Sequence, residues 1–158
     1  MSEALGTARR KAREAALQML YQSEVGRVSA HEAVRTYWPG RDAPPSPDDE
    51  QADAVPEAAV DENNRTWANA LVSGTIARAK EADELIAAHS KNWRIERMAV
   101  IDRLIMRMAI AEWLIDPATP AKVVINEALE LARTFSGEEP VPLINGVLDA
   151  VRKTLERE

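Results

Sequence analysis

The sequence contains no cysteine. This absence excludes disulfide bridges and thiolate metal sites, and it fits a protein of the reducing cytoplasm. No apolar run approaches the ~20 residues that a membrane span needs, and the N-terminal cations are not followed by the apolar segment of a signal peptide. From these absences we expect a soluble, cytoplasmic protein.

Signals for β-strands are also missing. Aromatic residues are limited to four Trp, two Tyr and one Phe, and no segment shows sustained alternation of apolar and polar residues. Ala, Leu, Ile, Met, Glu and Arg dominate instead, and these residues favour helices. The composition therefore predicts an all-α fold, and a chain of 158 residues is long enough to bury one core.

Patterns that carry catalysis or bind metals are missing as well. His31 and His89 stand in separate segments, and neither belongs to a His-Glu-x-x-His pattern of the metalloprotease type. There is neither a glycine-rich phosphate loop nor a Gly-x-Ser-x-Gly elbow. Carboxylate pairs such as Glu127 with Glu130 are common on solvated helix faces. We therefore expect a protein that is not an enzyme and that holds no cofactor and no metal.

The apolar residues recur with helical spacing and predict six or seven helices. Ser29 and Thr119 are candidate N-caps, Pro39 is expected to end the helix that contains it, and Gly74 can allow two helices to approach closely. Helix starts are expected near residues 8, 31, 64, 95, 120 and 142. The third helix is expected to run without a break to residue 90.

The predicted helix over residues 95–115 is the most apolar and is expected to be central. The first helix should bury its alanine, leucine and methionine side chains on one broad arc. Ile76 and Phe135 are also assigned to buried faces.

Residues 39–62 differ from the rest of the chain because they are rich in proline and acidic residues and poor in large apolar ones. Such a segment cannot bury enough surface to offset the entropy of ordering it. We expect a flexible acidic loop, most simply a solvated insertion. The alternative is a segment that mimics phosphates and shields nearby cations.

Cations gather at the start of the first helix although the chain has a formal net charge of -6. Because cations are unfavourable at a helix N-terminus, their placement favours a functional role. Arg9, Arg10, Lys11 and Arg13 could neutralise phosphates, and Tyr21 could stack on a base. Arg10 and Tyr21 share one helix face about 16 Å apart at ~1.5 Å rise per residue, a length that suits single-stranded RNA. The alternatives are a cationic helix start without function and a Tyr21 at the edge of the core.

Three stretches of the chain carry the motifs of a known family. They are ARRKAREAALQMLYQ from Ala8, VIDRLIMRMAIAEWL from Val100 and KVVINEALELARTFSGEEPVPLINGVLDAV from Lys122. In this order they resemble the NusB family of transcription antitermination factors. The resemblance covers residues 8–26 and 64–153 and gives the acidic segment no counterpart. It implies a single all-α domain over residues 1–158, built from two perpendicular three-helix bundles over 8–90 and 91–158.

The resemblance also implies a function. NusB-like proteins bind the single-stranded boxA element of ribosomal RNA leader transcripts together with NusE, a small-subunit ribosomal protein. The complex joins RNA polymerase and suppresses premature termination. Since some family members self-associate, a homodimer is a further implied state.

The family motifs imply particular site residues. Glu96 and Asp102 match the acids that face NusE. Leu143 stands where the family has an RNA-stacking phenylalanine, and Pro142 where it has a basic residue. Asn126, Glu127 and Asn145 fit structural roles as well as RNA contacts. The implied RNA-binding set is Arg9, Arg10, Lys11, Arg13, Tyr21, Glu139, Leu143 and Asn145.

Two hypotheses follow from the sequence. The first is an antitermination factor that binds boxA RNA with NusE. The second is a helical adapter that keeps the NusE interface but has weak or lost RNA binding, as the residues at 142 and 143 suggest. A third, an RNA-modifying enzyme, is disfavoured because the chain has no room for a nucleotide-binding domain.

Overall fold

The structure, a computed structural model, describes residues 2–42, 60–90 and 94–155. Within these ranges every regular element is helical, so the all-α prediction is confirmed. A 3₁₀ turn covers Ile95–Arg97. The α-helices are α1 (Ser2–Gly26), α2 (Ala30–Asp42), α3 (Glu62–Ala77), α4 (Ala79–His89), α5 (Val100–Ile115), α6 (Ala121–Phe135) and α7 (Val141–Thr154). None of these helices has both the length and the apolarity needed to cross a membrane.

Helix α2 begins where the sequence predicts, but it does not end where the sequence predicts. The Ser29 hydroxyl accepts a hydrogen bond from the Glu32 backbone N–H at 3.1 Å, which confirms the predicted cap. Pro39 lies inside α2, which continues to Asp42, so the prediction that Pro39 ends the helix is wrong. The fixed φ of proline is itself helical, so the chain can continue past it. Most of the predicted acidic loop, residues 43–59, lies outside the described residues.

Other predicted boundaries are also corrected by the structure. Helix α1 begins at Ser2 rather than near residue 8, and the helix expected from residue 95 begins at Val100, after the 3₁₀ turn. The helix expected over 64–90 is divided at Arg78, whose φ of -105° and ψ of 13° leave the helical conformation. Thr119 does not cap α6, because its hydroxyl donates to the Asp116 carboxylate at 3.0 Å. Pro120 takes the N-cap position instead. No proline or glycine lies within three residues of Arg78, so the sequence does not indicate the division between α3 and α4.

Helix α5 is the centre of the fold, as its apolar sequence predicts. It packs against α1, α3, α4, α6 and α7. Gly74 of α3 lies so close to α5 that an added Cβ would stand 3.3 Å from the Cδ1 atom of Ile115, which confirms the predicted close approach. The buried arc of α1 is confirmed as well, and it consists of Ala12, Ala15, Ala16, Leu17, Met19 and Leu20.

Two apolar residues assigned to buried faces are exposed. Ile76 and Phe135 stand at the ends of α3 and α6 and are 39% and 36% exposed. At a helix end the neighbouring helix no longer covers the full apolar stripe, so periodicity alone overestimates burial. The core is continuous between the two halves of the chain, and the division at residue 90 stays a prediction.

Candidate nucleic-acid interface

The most exposed arginine at the basic start of α1 is held by a carboxylate from a distant part of the chain. Arg10 donates from Nε to Glu127 Oε2 at 3.0 Å and from Nη2 to Glu127 Oε1 at 3.0 Å. Half of the Arg10 side chain is exposed, against 14% for Glu127. The hydrogen bond from Arg10 to Glu127 raises the pKa of the guanidinium above its usual value, so Arg10 stays charged.

Arg9 and Lys11 have partners on the same surface. The Arg9 guanidinium lies over the Trp67 ring of α3, 4.2 Å from its centroid, in a cation–π geometry. Lys11 pairs with Glu14 one turn further along α1 at 3.8 Å. Both cations are partly exposed, and these contacts fix where the two charges stand relative to Arg10.

Arg13 does not belong to the exposed surface, which corrects the interpretation of this residue as a phosphate contact. It is 4% exposed and donates from Nε and Nη2 to Glu112 at 2.8 and 2.7 Å. Its guanidinium also lies 5.2 Å from the Trp67 centroid, so the ring is in contact with both Arg9 and Arg13. Ala16, Leu17 and Leu20 follow Arg13 at i+3, i+4 and i+7 and are buried, so Arg13 lies on the buried side of α1. We assign Arg13 a structural role.

Tyr21 is 43% exposed and therefore lies at the surface rather than in the core. It precedes Glu24 by one turn, and Glu24 accepts a hydrogen bond from Arg103 Nη2 of α5 at 3.2 Å. Helix α1 thus runs from Glu127 of α6, at Arg10, to the N-terminal part of α5, near Tyr21.

A cavity of about 650 Å³ lies between the start of α5 and the α6–α7 connection. It brings together Asp102, Glu139 and Leu143, three residues that the sequence assigned to RNA or to a partner. Asp102 is 8% exposed, and its Oδ1 atom has no hydrogen-bond partner among the described residues. The full lining is Arg97, Met98, Ala99, Asp102, Ser136, Glu139, Pro140, Pro142 and Leu143.

The remaining predicted residues stand outside this cavity. Glu96 is exposed in the 3₁₀ turn, and Asn145 is exposed on α7. A second cavity of about 490 Å³ is lined by Arg9 and by residues 61–64 at the start of α3. There Asp61 accepts a hydrogen bond from the Asn64 backbone N–H at 2.9 Å, and this bond lowers the pKa of Asp61.

Sequence reasoning missed the side chains that organise the α1 cations. Trp67, Glu112 and Glu127 are each far from α1 in the chain, and their helical stripes indicate only which way they face. A glutamate on an otherwise apolar helix such as α5 was the available signal for Glu112, since buried acids are normally paired.

The described residues contain no cluster of acidic or histidine side chains that could hold a metal ion. What the surface offers is charge, hydrogen-bond donors, an exposed aromatic ring and a cavity lined in part by the acidic residues Asp102 and Glu139. These are the groups that bind a nucleic acid or a basic protein. The fold and the site define an all-helical binding protein.

Comparisons with known proteins identify the family. The NusB family model matches residues 10–153. A transcription antitermination protein NusB from Koribacter versatilis is 44% identical over 95% of this chain and 92% of its own length. One from Myxococcus xanthus is 39% identical over 95% and 98%. The chain belongs to the NusB family, as its motifs indicated.

Solved structures have the same fold. T. maritima NusB is 25% identical and superposes with a TM-score of 0.74 over 92% of this chain and 90% of that one. A chain of a crystal structure of antitermination factors NusB and NusE in complex with dsRNA is 20% identical, with a TM-score of 0.76 over 94% of this chain and 98% of that one. This second likeness concerns the fold.

Proposed function

We propose that this chain is a transcription antitermination factor that binds a boxA-like single-stranded RNA together with NusE in the cytoplasm. The observation that carries the proposal is the 44% identity, over 95% of the chain, to a protein named for transcription antitermination. Its role is regulatory rather than catalytic. We also propose that it acts within the RNA polymerase antitermination complex.

The proposed RNA surface consists of the exposed face of α1 and the rim of the cavity. Arg9 and Lys11 contribute positive charge, Arg10 contributes hydrogen-bond donors, and Tyr21 contributes a ring on which a base can stack. Glu139, Leu143 and Asn145 complete the proposed contacts.

The proposed NusE contacts are the two acids near the start of α5. Glu96 is exposed, and Asp102 lines the cavity although it is 8% exposed. A basic ribosomal protein would be attracted to the negative charge of these two acids.

A homodimer is a further proposed state of the protein. If its interface covered the cations of α1, the homodimer would compete with RNA for this surface.

The direct test is RNA binding by fluorescence anisotropy with boxA-like and scrambled RNA across a salt series, with and without NusE. We expect a preference for the boxA-like RNA, strengthening by NusE and loss of binding as salt rises. Arg10→Ala should weaken binding by about tenfold, because hydrogen bonds to charged groups contribute ~1.5–3 kcal/mol.

Arg35→Ala is the matched control. Arg35 is also an exposed, carboxylate-paired arginine on a helix, with its side chain 60% exposed and bound to Glu32, but it lies outside the proposed surface. If Arg10→Ala and Arg35→Ala bind RNA equally well, the α1 site is wrong.

The adapter hypothesis is the second candidate. It is favoured by Leu143 and Pro142, which offer neither a ring nor a charge, and by the burial of Arg13, which leaves fewer cations for RNA. A pulldown that retains NusE, together with no RNA shift at low salt, would select it.

A further inference from the structure

We propose that Glu127 is a positioning residue for RNA recognition: it fixes the orientation of Arg10 and thereby makes this arginine contribute to RNA discrimination rather than to sequence-independent attraction. The inference rests on the proposed function. Glu127 is 117 residues away from Arg10 in the chain. The family motif that contains Glu127 fits a structural role as well as an RNA contact.

The geometry leaves part of Arg10 available to a ligand. A guanidinium has five N–H donors in a planar fork. The contact with Glu127 uses Nε–H and one N–H of Nη2, so three donors at the far end of the group remain. Because half of the side chain is exposed, a phosphate or a base edge can reach this end while the carboxylate still holds the other edge.

Glu127 is a rigid anchor for this purpose. It stands in the middle of α6, and Val124, Ala128 and Leu131 fix that helix in the core. Its own side chain is 14% exposed, so it has little freedom to follow a moving arginine. The orientation of Arg10 is therefore set before RNA arrives, which lowers the entropy lost on binding.

The same contact cancels most of the long-range attraction of Arg10. The ion pair is close to neutral when seen from a distant phosphate, and Glu14 and Glu130 add negative charge nearby. An arginine in this setting binds through directed hydrogen bonds at contact distance. Only an RNA that presents an acceptor at the free end of the fork gains those bonds, which gives discrimination.

Glu127→Gln tests the proposal, with Glu130→Gln as the matched control. Glu130 lies one turn further along α6 and its charge also acts on Arg10, but its oxygen binds Arg133 at 2.9 Å. Both variants remove one negative charge from the same region, and only Glu127→Gln loosens the fork of Arg10. The full chain is assayed with boxA-like and scrambled RNA of equal length across a salt series.

For Glu127→Gln we expect tighter binding to scrambled RNA at low salt. The slope of log K against log salt should steepen by about 0.7, the value for one additional neutralised phosphate of a single strand. The preference for boxA-like RNA should fall by about fivefold, the lower end of what a bidentate arginine contact contributes. Glu130→Gln should leave the preference unchanged.

A second variant keeps the test decisive if Glu127→Gln folds poorly. Arg10→Lys keeps the positive charge but lacks the planar set of N–H donors. We therefore expect this variant to lose the preference for boxA-like RNA while the slope of log K against log salt stays unchanged. The proposal is overturned if Arg10→Lys and Glu127→Gln both keep the wild-type preference for boxA-like over scrambled RNA. A wild-type protein without any preference would instead contradict the proposed function itself, and the inference about Glu127 with it.

Discussion

The guanidinium of Arg13 and the carboxylate of Glu112 form a buried bidentate ion pair that joins α1 to α5. The two hydrogen bonds measure 2.8 and 2.7 Å, and the side chains are 5% and 2% exposed. A pair this deeply buried loses its hydration, and the mutual attraction and hydrogen bonds offset that loss. The basic stretch at the start of α1 therefore has one arginine that holds the fold and others that remain at the surface.

Arg13→Met should destabilise the protein by about 3–5 kcal/mol, because Glu112 would stay buried without a counter-charge. The measurement is the free energy of unfolding from urea denaturation. Replacing both residues, Arg13→Met with Glu112→Met, should recover most of that loss. A single Arg13→Met variant as stable as the wild type would contradict a buried, charged Glu112. Arg10→Ala should change stability by only ~0–1 kcal/mol, as expected for an exposed pair.

Leu143→Phe should strengthen binding to a boxA-like RNA. Leu143 lines the cavity beside Glu139, and an aromatic ring there would provide a stacking surface worth ~1–3 kcal/mol per base. We expect tighter binding by between about fivefold and a hundredfold in the anisotropy assay. Leu143→Met, which keeps the apolar volume without adding a ring, should bind as the wild type does. Equal affinities of the Phe and Met variants would mean that no base reaches residue 143.

Two glycine-to-alanine substitutions should change stability in opposite directions. Gly146 is in the interior of α7, where an added Cβ would meet no atom within 4 Å, so Gly146→Ala should stabilise by about 0.5–1 kcal/mol. Gly137 ends α6 with a φ of +113°, which alanine adopts only with strain. Gly137→Ala should therefore destabilise by ~1–3 kcal/mol.

Thermal melts of these two variants are the measurement. The space around both positions is open, so any difference in sign reports the backbone alone. Melting temperatures that shift in the same direction for both variants would contradict the positive φ described for Gly137.

Asp61 should make stability depend on pH in the acidic range. The hydrogen bond from the Asn64 backbone N–H lowers the pKa of Asp61 below its ordinary value of 3.8. The unfolded chain then binds the proton more readily than the folded one, so stability rises with pH across this interval. The contribution is fully present above the ordinary pKa and is lost as pH falls through the lower, folded-state pKa.

Asp61→Asn keeps an N-cap acceptor but cannot titrate. The difference in unfolding free energy between wild type and Asp61→Asn, measured at a series of pH values, should therefore shrink as the pH falls through this range. A difference that stays constant with pH would show that the carboxylate of Asp61 is not held in its charged form.

Local patterns determined much of the fold. The period of apolar residues was enough to assign the buried arc of α1 and the central place of α5, because the side of a helix that a residue occupies depends only on its spacing. Ser29 as a cap was predictable for the same reason, since its hydrogen bond reaches only three residues ahead. The family motifs were also present in the sequence itself.

Other features were decided by packing between distant segments. No proline or glycine lies within three residues of Arg78, and the two helices that it separates, α3 and α4, each pack against α5. In the same way, the contact of Arg9 with Trp67 and the pairing of Arg13 with Glu112 depend on how α3 and α5 are placed beside α1. The site was therefore predicted as a set of residue types, while its geometry was not.

The sequence by itself determined that this protein is helical, that it is a NusB family member and that its first helix begins with cations. Only the tertiary structure decided what those cations do. Arg10 meets Glu127 and Arg13 meets Glu112 across separations of 117 and 99 residues. The strength of an ion pair depends on distance and on burial, and both are fixed by how helices cross, which local sequence does not encode.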